Sequence, residues 1–364
     1  MKIGGAETLL ADFLEHSQAA QFDHQVIYFY DGPNKERLQA LGIPCYQVRG
    51  LLCLYDPVFF MRLYRLIKKL NPACIHSWLW SANIVARVVN LLLRIPLLNS
   101  FHLGADQDGW LRNALDRATE YIPARLVAVS EGVAQLLVNH LQVSKSEERL
   151  TVIKNGIDAD AIQEKSKKMA ISRAQLGISE HQFVIGTVGR WIARKNYLFL
   201  LDVFAQLYQD DPAVVLLLVG KGEQKELLVK RAHDLGISKS VIFIEGQPAL
   251  GYYQLFDCFI QTSFKEGISI ALLEAMSCRL PCILIEPSGD HEVLIHEHNG
   301  LLIRSYSAVA VTQAVERIKH DRVLAQSLGH NAYTIIKEQF AVASMIDSYQ
   351  KEYTQLINFH EKSR

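Results

Sequence analysis

Short β-rich runs alternate with longer amphipathic runs along almost the whole chain, and this alternation constrains the fold more than any other feature. Some of the runs are apolar throughout, as in Val214-Val-Leu-Leu-Leu-Val219, which is typical of strands in a sheet covered on both faces. Strands separated by helical stretches form parallel sheets, because a parallel neighbour needs a crossover connection. The pattern therefore predicts an α/β fold. The predicted strands lie at residues 25–30, 44–48, 73–77, 96–100, 126–129 and 151–154, and then at 183–188, 214–219, 241–244, 258–261, 282–285 and 301–303.

The alternation is interrupted once, near the middle of the 364-residue chain. The turn signal Asn155-Gly-Ile-Asp158 and a polar segment at 163–168 come before the pattern restarts. A chain of this length exceeds the usual size of a single core. We therefore predict an N-terminal domain at residues 1–158, a second domain at 159–342 and one long amphipathic helix within 343–364.

Composition excludes several classes of function. Lys plus Arg number 38, as do Asp plus Glu, so a net charge of zero gives no reason to expect nucleic acid as a partner. The richest apolar segment, 88–98, is interrupted by Arg94 and Pro96 and is too short to span a membrane. The six cysteines form no CxxC pair, and most of them lie in apolar contexts. We expect no signal peptide, so this cysteine pattern indicates reduced thiols in a cytoplasmic protein.

The segment after the predicted strand at 258–261 carries two carboxylates beside a glycine. Glu266 precedes Gly267, and Glu274 lies just inside the helix that follows. A glycine next to a helix N-terminus allows backbone N–H groups to meet an anion, and carboxylates accept hydrogen bonds from hydroxyls. This combination predicts a pocket for a nucleotide sugar.

A second loop, at 189–196, carries Arg190 and Lys195 at the end of another predicted strand. Arginine offers a planar fork and lysine a point charge, and together they could neutralise a diphosphate without a metal. Gly220 follows the next strand, where a glycine fits either a plain turn or the close approach of a ligand.

The first half of the chain offers weaker candidates. Gly4 and Gly5 precede an amphipathic helix, and His102 lies just past the strand at 96–100. Glycines at a helix start suit a phosphate or a sugar, although a plain N-terminus has the same composition. A single histidine is commonly structural or exposed, and His76 lies at a similar strand end.

Two further patterns have competing interpretations. The tripeptides at 158–160 and 106–108 match the DxD pattern of metal-dependent sugar transferases, but they lie in a turn and a polar loop, so we expect no metal site there. The segment 59–69 is basic and amphipathic, which fits either a helix on a membrane surface or a core-facing helix with a solvated cationic side. The core-facing interpretation is favoured.

Together these motifs resemble the retaining glycosyltransferases of family 4, which have the GT-B fold. The resemblance covers almost the whole chain and depends on the order and spacing of the motifs. It implies two Rossmann-like domains that face an interdomain cleft, with the C-terminal helix packing back towards the N-terminal domain. The matching motifs are Gly4-Gly-Ala-Glu7, Phe101-His102, Val129-Ser130, the segment 152–158, Gly189-Arg190, Lys195-Asn196, Gly220-Lys-Gly222, Ser263, Asn299-Gly300-Leu301, and Glu266 with Glu274 at E-x7-E spacing.

The resemblance also implies roles for the site residues, with a nucleotide-diphosphate sugar as donor and no metal or other cofactor. Arg190 and Lys195 would hold the diphosphate as it leaves. Glu266 would bind the donor sugar hydroxyls, Glu274 the ribose hydroxyls, and His102 would face the sugar near its anomeric carbon. The other implied donor-binding residues are Gly4, Gly5, Gly220, Gly267, Ile268 and Ser269.

The implied acceptor is a hydroxyl of a cell-surface glycan or a lipid-linked glycan, which would place the protein peripherally at the inner face of the membrane.

Two departures from the family pattern matter. The family has a strand before the Gly-Gly loop, whereas few residues precede Gly4 here, and Arg279 occupies a position that is glycine in the family. If φ is positive there, Arg279 is strained. The first departure leaves open a catalytically degenerate paralogue that binds a sugar nucleotide or acts as an interaction module. The motif spacing disfavours an epimerase.

Overall fold

A computed structural model gives the fold. The chain divides into two compact units, one formed by Met1–Gly156 with Val342–Arg364 and the other by Ile157–Ala341. Parallel strands and helices alternate in both units, so the predicted α/β class is confirmed. The structure describes residues 5–17, 22–50, 56–102, 109–141, 149–286 and 292–362.

The first unit contains two sheets. The strands from β3 to β6 pair in chain order, all in parallel, whereas β1 and β2 form a separate parallel pair. The family strand expected before the Gly-Gly loop falls on residues 1–4, outside the described part of the chain. The elements up to the domain boundary are α1 (Gly5–His16), β1 (Val26–Tyr28), α2 (Asn34–Ala40), β2 (Cys45–Gln47), α3 (Pro57–Leu70), β3 (Ile75–Trp78), α4 (Trp80–Leu93), β4 (Leu97–Phe101), α5 (Gly109–Thr119), β5 (Arg125–Ala128), α6 (Glu131–Leu141) and β6 (Leu150–Val152).

Local signals fix the helix predicted at 59–69, which is α3. Asp56 caps its start, because the carboxylate accepts hydrogen bonds from the next two free backbone N–H groups, and proline follows at the first helical position. Phe59, Leu63 and Ile67 recur at helical spacing and are buried, so the core-facing interpretation is confirmed.

The second unit contains one six-stranded parallel sheet in the order β12-β11-β10-β7-β8-β9. The chain runs outward from β7 in one direction and then, from β10, in the other, so β7 and β10 flank the point where the strand order reverses. The elements are α7 (Ala159–Lys168), β7 (Phe183–Val188), α8 (Tyr197–Asp210), β8 (Val214–Gly220), α9 (Lys225–Asp234), β9 (Val241–Glu245), β10 (Cys258–Gln261), α10 (Ile270–Ser277), β11 (Cys282–Ile285), β12 (Leu301–Ile303), α11 (Ala308–His320) and α12 (Arg322–Gln339).

The last helix, α13 (Val342–Lys362), belongs to the first unit and packs against α1. Tyr353 OH lies 2.6 Å from His76 Nδ1, and Tyr349 OH lies 3.1 Å from Ser100 Oγ. These contacts fix the helix against β3 and β4. The prediction that the C-terminal helix packs back towards the N-terminal domain is therefore confirmed.

Within the described residues, no helix combines the length and apolarity needed to cross a membrane. The described cysteines are free thiols: Cys45, Cys74, Cys258, Cys278 and Cys282.

Candidate active site

Two loops meet where the strand order of the second sheet reverses, and ligands of open parallel sheets bind at such a point, beyond the carboxyl ends of the strands. One loop follows β7 and the other follows β10. Phe264 N donates to the carbonyl of Arg194 at 2.8 Å, and Thr262 Oγ1 donates to the carbonyl of Lys195 at 3.1 Å. The two loops are thus held together through the main chain.

Glu266 is paired with two cations from the β7 loop. Lys195 Nζ lies 2.8 Å from Glu266 Oε1, and Arg194 Nη1 lies 3.1 Å from Oε2. Arg194 Nη1 also donates to the Lys265 carbonyl at 3.1 Å. The structure brings together Lys195 and Glu266, two of the predicted site residues, as an ion pair. It adds Arg194, whose only sequence signal is its position beside Lys195.

The cations set the charge state of Glu266, whose side chain is only 8% exposed. Burial of the carboxylate favours its neutral form, but the nearby charges of Lys195 and Arg194 outweigh burial, so the pKa of Glu266 is lowered. Glu266 is therefore ionised at neutral pH and able to accept hydrogen bonds from hydroxyls.

Arg190 lies in the same loop, three residues before the short 3₁₀ turn Ala193–Lys195, and its side chain is exposed. Trp191 beside it is fully buried and anchors the loop in the core of the unit. In this loop, Arg190 therefore faces solvent, whereas Lys195 is paired with Glu266.

Glu274 lies on α10, and a tyrosine outside the predicted set contacts its carboxylate. Tyr253, from the 3₁₀ helix Ala249–Leu255, has its hydroxyl 2.8 Å from Glu274 Oε2 and 3.1 Å from the Ala271 carbonyl. Burial, and then the charge of Glu274, raises the pKa of Tyr253 well above its usual range. Tyr253 therefore keeps its proton and acts as a hydrogen-bond donor to Glu274.

The segment between the two glutamates leads directly into α10. Gly267, Ile268 and Ser269 are buried, and Ser269 is the N-cap residue of the helix. The predicted backbone segment thus lies at a helix N-terminus, where N–H groups and the helix dipole favour an anion.

Gly220 and Gly222 have a packing role in the loop after β8. A Cβ at Gly220 would lie 1.9 Å from the carbonyl oxygen of Gly189, and a Cβ at Gly222 would lie 2.3 Å from that of Trp191. Both positions therefore exclude any side chain. The close approach of two loops accounts for these glycines, and a donor contact at Gly220 stays a prediction.

Three of the predicted site residues, His102, Gly5 and Gly4, belong to the first unit. His102 follows β4 and stacks on Trp78, with ring centroids 4.9 Å apart, and its Nε2 is buried with no hydrogen-bond partner among the described residues. Burial lowers the pKa of His102 to about 4, so the imidazole is neutral at pH 7. Gly5 begins α1, whereas Gly4 falls outside the described residues. His76 is occupied by hydrogen bonds to Tyr353 and Ser100 at 2.6 and 2.7 Å.

Of the two DxD tripeptides, the structure describes the one at 158–160. Asp158 caps α7 by accepting from Ala161 N at 2.9 Å, and Asp160 binds Tyr333 OH and Lys337 Nζ. These contacts give both carboxylates a structural role. The tripeptide at 106–108 lies outside the described residues. Within the described ranges, no group of three or more His, Cys, Asp or Glu residues has a geometry that could hold a metal ion.

Family models identify both halves of the chain. Residues 3–161 match the family described as Glycosyltransferase Family 4, and residues 168–335 match the family described as Glycosyl transferases group 1. Together the matched segments take in nearly the whole chain. With two parallel α/β domains of GT-B type, the chain is therefore a glycosyltransferase of the GT-B fold.

Particular relatives are similar over different lengths. UDP-Gal:alpha-D-GlcNAc-diphosphoundecaprenol alpha-1,3-galactosyltransferase of Escherichia coli is 23% identical over 352 residues, which cover 93% of this chain and 90% of the relative. Lipopolysaccharide core biosynthesis glycosyltransferase LpsE of Rhizobium meliloti (strain 1021) is 28% identical over 182 residues, 50% of this chain and 52% of the relative. The crystal structure of Anabaena Alr3699/HepE in complex with UDP-glucose has a TM-score of 0.84 at 21% identity, covering 97% of both chains. This structural likeness shows the fold.

Proposed function

We propose that this chain transfers a sugar, with retention of anomeric configuration, from a nucleotide-diphosphate sugar to a hydroxyl of a cell-surface or lipid-linked glycan. The observation that carries the proposal is the buried Glu266 carboxylate paired with Lys195 and Arg194 where the strand order reverses. Such a site offers cations for a diphosphate and an acceptor for sugar hydroxyls within one cluster.

In this proposal the donor diphosphate takes Lys195 and Arg190 as its cationic partners. An arriving diphosphate competes with Glu266 for Lys195 Nζ, while Arg194 still compensates the carboxylate. Glu266 then accepts hydrogen bonds from the hydroxyls of the donor sugar. The backbone N–H groups of Gly267, Ile268 and Ser269, at the N-terminus of α10, bind phosphate or sugar oxygens.

Glu274 binds the ribose hydroxyls through carboxylate oxygens that Tyr253 holds in place. In the first unit, His102 faces the sugar near its anomeric carbon. Its buried Nε2, which has no hydrogen-bond partner among the described residues, supports this role, because a buried polar atom without a partner is costly and a ligand hydroxyl would satisfy it. Gly4 and Gly5 approach the diphosphate, and Gly220 borders the donor.

The proposed transfer breaks the bond between the anomeric carbon and the leaving phosphate oxygen and forms a bond from that carbon to the acceptor oxygen. Attack comes from the face that the diphosphate leaves, and the acceptor proton passes to the departing phosphate oxygen. No atom is oxidised or reduced. Cations already in place around the developing charge supply the main catalytic term, so we propose that Arg190 and Lys195 serve where other transferases use a metal.

The relatives support the classes of donor and acceptor. The Escherichia coli relative is named for a UDP-Gal donor and a diphosphoundecaprenol-linked acceptor, and the Rhizobium relative for lipopolysaccharide core biosynthesis. We infer an acceptor of the same class here, and hence a cytoplasmic protein that works at the inner face of a membrane.

A thermal-shift panel tests the donor site. UDP, GDP, ADP, CMP and their common sugar conjugates are added with EDTA present, and we expect one nucleotide family to stabilise the protein. Glu274→Ala should lose this stabilisation, whereas Lys195→Ala together with Arg190→Ala should abolish transfer in a protein that still unfolds cooperatively. A matched control is Lys225→Ala, because that lysine pairs with Glu245 on the surface of the same unit.

The outcomes separate the candidate functions. Stabilisation with donor turnover supports a transferase. Stabilisation without turnover under any acceptor would favour the degenerate, ligand-binding paralogue. Loss of turnover on adding EDTA would contradict metal independence, and inversion in the product would contradict retention.

A further inference from the structure

A cluster of aromatic rings in the first unit covers one face of His102. The rings of Trp78 and His102 are nearly parallel, at 25°, with their centroids 4.9 Å apart. On its other sides the indole of Trp78 meets the ring of His76 at 5.0 Å and that of Tyr349 at 5.7 Å. Trp78 is only 8% exposed, so its neighbours leave the indole little room to turn.

One nitrogen of His76 fixes the indole of Trp78 through a hydrogen bond. Trp78 Nε1 lies 3.2 Å from His76 Nδ1 and donates to it. An indole nitrogen is a donor only, so His76 Nδ1 is the unprotonated nitrogen, which accepts. The proton of the neutral imidazole is then on Nε2, which donates to Ser100 Oγ at 2.7 Å. The partners of His76 therefore specify a single tautomer.

His76 stays neutral in this arrangement. Burial first, and then the nearby rings of His102 and His24, lower the pKa of His76 well below its ordinary range. Protonation would put a hydrogen on Nδ1, where the indole N–H of Trp78 already lies. The neutral form is therefore the one that the hydrogen bonds need.

The C-terminal helix α13 closes the same network. Tyr353 OH lies 2.6 Å from His76 Nδ1, and the hydroxyl donates because this nitrogen only accepts. Tyr349 OH lies 3.1 Å from Ser100 Oγ, the atom that accepts from His76 Nε2. A residue 277 positions away along the chain thus helps to hold the imidazole in its plane.

We propose that His76 is a positioning residue for His102 and acts through the indole of Trp78. The hydrogen bond from His76 sets the orientation of Trp78, and the face of the indole sets the plane of the His102 ring. His102 Nε2, which has no hydrogen-bond partner among the described residues, lies at the edge of that ring. This inference rests on the proposed function, in which His102 faces the sugar near its anomeric carbon.

A packing role is the alternative, in which the rings only attach α13 to the sheet. Packing needs the rings but not their nitrogen atoms. A phenylalanine at position 76 would give similar apolar contacts without buried polar atoms that require partners. A hydrogen-bonded network, in contrast, fixes the orientation of the groups that it joins. The matched donors and acceptors of His76, Trp78, Ser100 and Tyr353 favour positioning.

Two pairs of variants separate these roles. Asparagine and leucine have nearly the same size and shape, but only His76→Asn keeps an acceptor close to the position of Nδ1, whereas His76→Leu has none. Trp78→Phe removes the indole N–H and leaves a ring for His102. Its matched control is Trp80→Phe, because Trp80 Nε1 donates at 2.6 Å to Asp116, which pairs with Arg87 in the same unit.

Turnover should respond to the hydrogen bond rather than to the packing. We expect kcat to fall roughly 10- to 100-fold in His76→Leu and in Trp78→Phe, since a small misplacement near the reacting atoms has effects of that size. His76→Asn should recover most of the rate, and Trp80→Phe should leave it unchanged. The Kd of the free nucleoside diphosphate should not change in any variant, because most of its proposed contacts lie in the second unit. A packing role predicts the reverse order, with leucine at least as active as asparagine.

Nuclear magnetic resonance of the full chain labelled with 15N-histidine gives a readout that needs neither donor nor acceptor. The nitrogen shifts should show His76 with a proton on Nε2 alone, and the signal is assigned by its loss in His76→Asn. The pKa of His102, about 4 in the unaltered chain, should rise towards 6.5 in His76→Leu, because a released ring is better solvated. It should stay near 4 in Trp80→Phe. If these shifts are found in a chain without transferase activity, the proposed function is wrong and the orientation of His102 stands.

Three results would overturn the proposal: a proton on Nδ1 of His76, equal kcat values for His76→Leu and His76→Asn, or equal losses of kcat in Trp78→Phe and Trp80→Phe. Cooperative thermal unfolding shows that each variant is folded. If His76→Leu does not fold, the comparison of Trp78→Phe with Trp80→Phe and the tautomer of the unaltered chain decide the question.

Discussion

At the scale of single residues, the two cations around Glu266 have different environments and need not have the same role. Lys195 ends in one mobile point charge, which a diphosphate can attract away from the carboxylate. Arg194 makes two contacts, to Glu266 Oε2 and to the Lys265 carbonyl, and both fix its planar head. Arg194 therefore holds Glu266 in place, and Lys195 is the cation that can exchange partners.

Replacing Arg194 tests this division of roles through pH. Burial raises the pKa of Glu266, but the charges of Lys195 and Arg194 lower it by more. The ionised form of Glu266 stabilises the fold, and this stabilisation is lost only as the pH falls through the lowered pKa. Arg194→Gln removes one of these charges, which raises the pKa of Glu266. We expect the acid limb of the kcat/KM profile to move to higher pH and stability to fall by about 1–3 kcal/mol.

Arg194→Lys is the matched control, because it restores the charge without the fixed fork. It should return the acid limb towards its original position while the maximum rate stays reduced. Identical acid limbs in the unaltered enzyme and in Arg194→Gln would contradict the positioning role.

Tyr253→Phe tests the support of Glu274. The ring stays in the core, but the hydroxyl that donates to the carboxylate at 2.8 Å is lost. We expect nucleotide affinity to fall by at least about 10-fold, since a hydrogen bond to a charged group contributes about 1.5–3 kcal/mol. Isothermal titration with the stabilising nucleotide measures the change. Tyr349→Phe removes a comparable buried hydroxyl in the first unit and should leave the affinity unchanged.

The sequence predicted only part of this cluster. Glu266 and Lys195 lie in motifs with a fixed spacing, and their chemistry is apparent from residue type. Arg194 and Tyr253 act through contacts with residues 72 and 21 positions away along the chain. No local pattern encodes such contacts, since they depend on which loops the sheet order brings together.

At the scale of elements, the twelve predicted strands are all present, and most boundaries agree within two residues. The agreement follows from the sequence itself, because an apolar run such as that of β8, rich in β-branched residues, fits a strand covered on both faces. The role of Gly220 could not be predicted in the same way. Its close approach to Gly189 depends on how the loops after β7 and β8 pack.

The turn after α10 stores the strain predicted for Arg279. Its φ is 59°, a left-handed conformation that favours glycine. The side chain makes compensating contacts, since its guanidinium lies 4.2 Å from the centre of the Tyr333 ring and its Nη1 lies 3.3 Å from His330 Nδ1. A cation over an aromatic ring at an exposed site contributes about 0.5–1 kcal/mol, which is similar to the cost of the backbone conformation.

Arg279→Gly and Arg279→Ala separate these two contributions. Both variants lose the contact with Tyr333, but only alanine keeps a Cβ in the left-handed conformation. We expect the glycine variant to be more stable than the alanine variant by about 1 kcal/mol in thermal or urea unfolding of the second unit. Equal stability of the two variants would show that the turn relaxes and carries no strain.

At the scale of the whole molecule, the fold class and the return of α13 followed from the alternation and the family resemblance. The separation of the β1–β2 pair from the β3–β6 sheet could not be predicted in this way, because strand pairing depends on contacts that strand patterns do not specify.

The two units also differ in how their buried groups respond to acid. The first unit buries His76 and His102 in an aromatic cluster with α13, and burial lowers the pKa of both.

Acid should therefore destabilise the first unit through these histidines. The pKa of His102 is about 4 in the folded protein, below its ordinary 6.5, so between these values the unfolded chain binds a proton that the folded chain does not. Stability is retained above about pH 6.5 and falls by up to about 1.4 kcal/mol per pH unit below it for one such group. His102→Gln should reduce this slope, whereas His298→Gln, at an exposed position of the second unit, should not. Melting temperatures between pH 7.5 and 4.5, followed by tryptophan fluorescence, measure the slope of stability against pH for each variant. Equal slopes in both variants would show that the proton is taken up by a group other than His102.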